Sequence, residues 1–257
     1  MSSIINRVFG ARSSARIEHR AFNPGVGGSI PPGPVNRNTS YNRGIFFVIE
    51  HLEYTISKWL YIEYEHASKI VGKDRLIFTN IKKLEDSKIL SDLGFVKRES
   101  FTEIFDSEKI IILDPKAPKE LKPEDFKNKE AVIIGGILGD HPPRGRTQKL
   151  ITAKVPKALS RNIGDGQFSI DGAVYVAKLV SEGNRLEDIP IERGLHIRLG
   201  SKAEIFLPYF YPLKDGKPVI SEKLIKYLTS NDIVRDEERL LKGEINEKEN
   251  ADPFHIR

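Results

Sequence analysis

Apolar residues along this chain gather first at Ile45-Phe46-Phe47-Val48-Ile49, a β-favouring run without a polar break, which predicts a buried strand. From about Ser57 the spacing changes. Trp59, Leu60, Ile62, Tyr64, Ala67, Ile70 and Val71 recur at helical intervals and Gly72 supplies a stop, so a helix is expected behind the first strand. Leu76 to Thr79 predicts a second strand, followed by a helical segment ending near Leu93-Gly94. Lys109 to Leu113 predicts a third strand, which ends in Asp114-Pro115. A short helix near Pro123 to Asn128, with proline at an early position, leads into a fourth apolar run, Ala131 to Ile134. Strands that are apolar throughout and alternate with helices predict an α/β fold whose parallel sheet is covered on both faces.

The fourth run empties into glycine. Gly135, Gly136 and Gly139, with Ile137 and Leu138 between them, leave main-chain N–H and C=O groups uncovered by side chains, as a ligand that bonds to backbone requires. Pro142 and Pro143 then stiffen the chain, so that Asp140 and His141 are expected near the turn, with Arg144 and Arg146 just beyond. Ligands of open α/β sheets bind outside the carboxyl ends of the strands, which is where this loop belongs. A plain tight turn gives the same pattern. The stretch is neither Gly-x-Gly-x-x-Gly nor a P-loop, so dinucleotide and triphosphate sites are poorly supported.

A second glycine-bearing loop, Ser160 to Ser169, feeds a helix expected over Ile170 to Val180 with Ser169 as its cap. One loop leaves a strand and the other enters a helix, so the two are expected to face each other across one ligand; the helix N-terminus suits a carboxylate. Beyond them, His196 to Leu199 and Glu204 to Pro208 predict a short hairpin, Asp215-Gly216 a turn, and Ile220 to Leu228 a last helix starting near Ser221. This end reads as a small appendage.

Composition narrows the function classes. The chain has 257 residues and no cysteine, which excludes a disulfide framework, a thiolate nucleophile and a cysteine-type zinc site. No apolar run approaches the roughly 18 residues that span a bilayer, and no secretory signal is visible, so a cytoplasmic location is expected. The formal charge of +5 sits wholly in residues 1–43, where Arg7, Arg12, Arg16, Arg20, Arg37 and Arg43 face only Glu18. The remainder is neutral, and net basicity gives it no reason to bind a polyanion. Residues 1–43 end in a Pro- and Gly-rich stretch and read as a basic RNA arm, a disordered extension, or sequence upstream of the true start; the last two are preferred. The folded domain is expected over 44–230, and 231–257 reads as a charged, disordered tail.

Several of these stretches carry a family resemblance. Phe47-Val-Ile-Glu-His-Leu-Glu53 with Trp59 and Glu63-Tyr64, Leu113-Asp-Pro115, Gly135-Gly-Ile-Leu-Gly-Asp140 with Pro142-Pro143-Arg144 and Arg146-Thr147, Ser160-Arg161 with Ile163-Gly164, and Leu186 to Pro190 resemble the SPOUT-class methyltransferases. The resemblance is to the branch of the fungal protein arginine methyltransferase and its archaeal relatives, the latter described as RNA methyltransferases. It covers about Phe46 to Leu228. It implies a SPOUT-type sheet with a C-terminal trefoil knot, a monomer, and S-adenosylmethionine bound bent within the knot. The cofactor-binding residues implied are Leu113, Asp114, Pro115, Gly135, Gly136, Ile137, Leu138, Gly139, Ile163, Gly164, Gln167, Phe168 and Ser169. Gly166 departs from the bulkier apolar residues of the family, which puts the adenine contacts in question.

For an arginine acceptor the chemistry calls for carboxylates that grip a guanidinium. Glu50 and Glu53 are the leading pair and Asp140 the third; charge compensation at a helix N-terminus is the competing role for the pair. His51 is a candidate base or a structural hydrogen-bonder. For an RNA acceptor, Arg144, Arg146 and Arg161 would contact phosphate and Tyr209, Phe210 and Tyr211 would stack on bases; the competing roles are local ion pairing and hairpin burial. The expectation is methylation of an arginine in a ribosomal or RNA-associated protein. A tRNA or rRNA methyltransferase and a non-catalytic binding module of the same fold are the alternatives. No metal and no membrane partner are expected.

Overall fold

The computed structural model describes residues 44–140, 142–199, 203–230 and 232. The extension over 1–43, His141 and nearly all of the charged tail lie outside them.

Six parallel strands form the main sheet: β1 (Phe46–His51), β2 (Leu76–Thr79), β3 (Phe95–Val96), β4 (Ile110–Leu113), β5 (Ala131–Gly136) and β6 (Leu159–Arg161). Their order across the sheet is β3-β2-β1-β5-β4-β6, with every pairing parallel. The four strands expected from apolar runs are β1, β2, β4 and β5, and they hold the centre. The edge strands β3 and β6 are additions: two and three residues long and partly exposed, they carry no apolar run to announce them. Ser160 and Arg161, expected in a loop, are in β6.

Successive side chains of a strand point to opposite faces, and the core divides accordingly. Phe47, Ile49, Ile111, Leu113, Val132 and Ile134 meet Leu60, Tyr64 and Ala67 of helix α1 (Lys58–Val71) and Val174 and Ala177 of a second long helix. Val48, Ile110, Ile112, Ala131 and Ile133 meet Phe101 and Ile151 on the other face. The short helices between are α2 (Leu84–Leu90), α3 (Phe101–Ile104) and α4 (Arg146–Leu150); the second long helix is α5 (Ile170–Ser181). Both long helices start where a serine caps them. Ser57 accepts from the Leu60 amide and Ser169 from the Gly172 amide.

The C-terminal part is larger and better attached than the sequence suggests. Strands β7 (Ile191–Leu199) and β8 (Ala203–Lys214) pair antiparallel, and β9 (Lys217–Pro218) adds to β8 across the Asp215-Gly216 turn. The expected short strands are only the segments nearest the β7–β8 connection. Leu207, Tyr209 and Tyr211 of β8 and Leu224, Tyr227 and Leu228 of α6 (Glu222–Thr229) bury against Trp59 and Ile62 on α1. This end is therefore joined to the domain by a core of its own, against a helix face that would otherwise be wet.

Candidate active site

The carboxyl ends of β1 and β5 lie side by side, His51 opposite Gly136, and the Leu52 amide donates to the Gly136 carbonyl at 3.2 Å. A side chain at 136 would drive into the Tyr64 hydroxyl and the Glu50 backbone, so glycine is required there by close approach. The loop that follows is pinned rather than open. Glu53 accepts from the Leu138 amide at 3.1 Å and from the Arg146 guanidinium at 3.0 Å. Arg146 also donates to the Leu138 carbonyl and pairs with Asp140 at 2.8 Å. From the other side the Tyr209 hydroxyl donates to the Gly139 carbonyl at 2.9 Å.

The two glycine-bearing loops do meet. Gln167 packs on Gly139 so closely that a Cβ at 139 would overlap its amide, and the Gln167 Nε2 is buried with no hydrogen-bond partner. Between the loops and α1 lies a narrow pocket lined by Trp59, Glu63, Ile137, Leu138, Gly139, Phe168, Ser169, Ile170 and Tyr209. Glu63 is 3% exposed. Its Oε1 accepts from the Trp59 indole at 2.6 Å and its Oε2 from the Ile170 amide, the first residue of α5, at 3.0 Å. Burial first, and then the charge of Asp171, push its carboxyl up to about 8, against the pull of those two hydrogen bonds. The Tyr209 and Tyr211 phenols are pushed up as well, by burial and then by Glu63.

The expected site residues are distributed unevenly around this pocket. Ile137, Leu138, Gly139, Phe168 and Ser169 line it. Gly135 and Gly136 end β5. Leu113 pairs with Arg161, and Asp114 is a buried turn residue whose carboxylate accepts from Thr152 at 2.6 Å and the Lys116 amide at 2.9 Å. Pro115 is exposed, Ile163 is buried in the core, and Gly164 takes a positive φ of 118°.

The two carboxylates expected as a pair go to separate partners. Glu50, 1% exposed, accepts from Thr79 at 2.5 Å, Ser100 at 2.7 Å and the Phe101 amide at 3.1 Å, which fastens β1 to β2 and to the start of α3. Glu53 turns to the glycine loop instead. His51, 4% exposed, meets the Tyr64 hydroxyl at 3.0 Å through Nδ1. Burial and then the Lys83 charge hold its imidazole down to about 4, so it is neutral and a weak base. Of the arginines expected to reach a substrate, Arg146 is bound to Glu53 and Asp140, and Arg161 forms a two-pronged pair with Asp125 at 2.8 Å on each prong. Arg144 is exposed.

Sequence reasoning did not bring Trp59, Glu63 and Tyr209 together at one pocket. A signal was present: Trp59 and Glu63 are four residues apart and so share one face of α1, which puts a carboxylate on an apolar stripe.

Comparison with known proteins gives this geometry its setting. The family model described as protein arginine N-methyltransferase SFM1-like matches residues 46–234. The protein arginine N-methyltransferase SFM1 of Saccharomyces cerevisiae is 30% identical over 195 residues, covering 70% of this chain and 92% of the yeast protein. The crystal structure of the yeast arginine methyltransferase SFM1 complexed with SAM superposes with a TM-score of 0.67 at 29% identity, covering 74% of this chain and 92% of that one. The SAH complex gives 0.65 at 29%, covering 72% and 94%. The match spans the sheet, the glycine loop, the Glu63 pocket and the hairpin, and the chain belongs to the SFM1-like family of protein arginine N-methyltransferases.

Proposed function

We propose that this enzyme methylates an arginine side chain of a ribosomal or other RNA-associated protein. As a member of its family it is a SPOUT-class methyltransferase, and S-adenosylmethionine is its methyl donor. The donor supplies a methyl group already activated on a sulfonium, so alignment of the acceptor and the handling of one proton are what remain for the protein. The residues that would hold it are Leu113 to Pro115, Gly135 to Gly139, Ile163, Gly164 and Gln167 to Ser169. These fit a polar cofactor: the orphaned Gln167 amide is a buried donor in want of an acceptor, beside a loop where only glycine fits.

One observation carries the arginine reading. The basic side chains that an RNA would need are spent inside the fold, Arg146 on Glu53 and Asp140 and Arg161 on Asp125, while a buried acid lines the pocket. Tyr209 and Tyr211 are buried against α1 rather than offered to bases. Arg144 is the exposed exception and is what keeps RNA as the second reading.

The trefoil knot is part of this proposal. Residues 161 and 162 run between two stretches of one loop: the Asp114 amide donates to the Arg161 carbonyl, the Asn162 amide to Lys119, and the Leu121 amide to Asn162. A chain held on both sides by the loop it crosses supports threading there. A cytoplasmic monomer is proposed with it; no helix among the described residues is long and apolar enough to cross a membrane.

The test is to incubate the purified protein with methyl-labelled S-adenosylmethionine and a ribosome extract and to separate protein from RNA. Label on arginine in one small protein is expected. Label confined to RNA would overturn the reading in favour of the second, and absence of any affinity for the donor would leave a binding module.

A further inference from the structure

We propose that the pocket floored by Glu63 receives the guanidinium of the substrate arginine, with the Glu63 carboxylate as its anionic partner and Trp59 and Tyr209 as its walls. This rests on the arginine reading above and adds the residue that recognises the acceptor. Each Glu63 oxygen already accepts one hydrogen bond, from Trp59 and from the α5 N-terminus. A carboxylate oxygen has two lone pairs, so one remains on each oxygen. Two parallel acceptors of this kind match the two N–H donors along one edge of a guanidinium. Aromatic walls favour the same group, which is planar, weakly hydrated and stacks on rings, over the compact ammonium of lysine. The space between these walls holds little more than one water molecule, so entry of a guanidinium requires the aromatic walls to part.

The surroundings of Glu63 decide its charge. Asp171 faces it from α5 and is itself paired with His66 at 2.6 Å; Tyr209 and Tyr211 face it from β8 and Tyr64 from its own helix, all three phenols held neutral by burial. Across the glycine loop, Asp140 and Glu53 are both bound to Arg146. No cation among these is directed at Glu63, and its carboxyl keeps its proton up to about 8. A guanidinium entering the pocket supplies the missing charge. Glu63 then gives up its proton to solvent, and the neutral acid becomes the carboxylate half of an ion pair. Arginine binding is therefore coupled to the release of one proton, and affinity rises with pH until Glu63 is ionised without help.

The chain carries a reporter for this event, because its single tryptophan is Trp59 and its indole N–H is bound to Glu63. Trp59 fluorescence of the full chain is followed from pH 6 to pH 10 with N-acetyl-arginine amide, with the lysine analogue, and alone. Alone, a transition near pH 8 is expected. Saturating arginine amide should lower its midpoint by about one unit or more, equivalent to an affinity difference of about tenfold between the two charge states. The lysine analogue should do much less. In Glu63→Gln the transition should vanish and arginine affinity fall about tenfold or more, with affinity for S-adenosylmethionine kept. A midpoint indifferent to arginine overturns the proposal even if Glu63→Gln fails to fold, since the wild-type titration decides it. An equal shift with lysine overturns the guanidinium assignment. Loss of S-adenosylmethionine affinity in Glu63→Gln with arginine affinity intact assigns the acid to the donor and overturns it too. Label on arginine in the ribosome assay beside an arginine-indifferent Trp59 removes this pocket and leaves the parent reading; label confined to RNA removes both.

Discussion

Glu50 and Glu63 are both carboxylates buried to within a few per cent of zero exposure, and they serve opposite ends. Glu50 is met by three donors, from Thr79, Ser100 and the Phe101 amide, brought by β2 and the start of α3. Those donors replace the water it lost, so it binds three segments together and keeps a lone pair on one oxygen only, too few for a two-pronged guanidinium. Glu63 is met by two donors, has another acid close by, and opens on a cavity. A buried acid reads as structural when its partners are complete and as a site when they are one cation short. The sequence distinguishes the two poorly: the residue expected to grip a substrate is the one already satisfied.

The comparison breaks most readily at Glu50. Glu50→Ala takes the shared acceptor from the Thr79 and Ser100 hydroxyls and the Phe101 amide and should cost about 3 kcal/mol in urea unfolding, whereas Glu63→Gln at pH 6 exchanges one neutral group for another and should cost only about 1 kcal/mol. Similar costs for the two would show that the donor count does not separate them.

The second test is pH. Glu63 titrates at about 8 in the fold against 4.5 unfolded, so the native state holds an extra proton between those values. His51 titrates at about 4 in the fold against 6.5 unfolded, so there the native state lacks one. Between 4.5 and 6.5 the two contributions cancel. From 6.5 to 8 only Glu63 remains, and stability should fall by roughly 2 kcal/mol as pH rises through that window. Below 4.5 His51 acts alone and stability should fall again with acid. Denaturant midpoints across this range check it, and Glu63→Gln should abolish the decline above 6.5. A slope that persists in that variant would assign it to other groups.

The smallest effect concerns the loop between the two acids. Arg146→Ala releases Glu53, Asp140 and the Leu138 carbonyl together, and should weaken S-adenosylmethionine binding about tenfold with a stability loss of about 1 kcal/mol, measured by calorimetry and by melting. Unchanged donor affinity would show that the pinning of the glycine loop is independent of the cofactor.

What could be read from the sequence follows from how local the signal is. The central strands and both long helices announce themselves through apolar runs, helical spacing and the Ser169 cap, because those signals depend on neighbours in the chain. Strand β6 does not, since Leu159-Ser160-Arg161 becomes a strand only because β4 offers it an edge. The glycine loops were visible as glycine. What they pack on was not, because Gln167 and Tyr209 arrive from later in the chain. The arginines misled for the same reason: Arg161 looks available until Asp125 is seen opposite it.

Gly166 now has a structural account. A side chain there would overlap the ring of Phe210 in β8, and that ring also stands edge-on to Phe168 at the pocket wall. The space at 166 and the space at 210 are therefore one volume shared by two segments. A family member that fills it from the loop must empty it from the strand, so substitutions at the two positions should be tolerated as a pair where either alone is not. The shape of the loop beside the pocket is thus inherited in part from the hairpin, and grafting the hairpin of one relative onto another would carry the consequence with it.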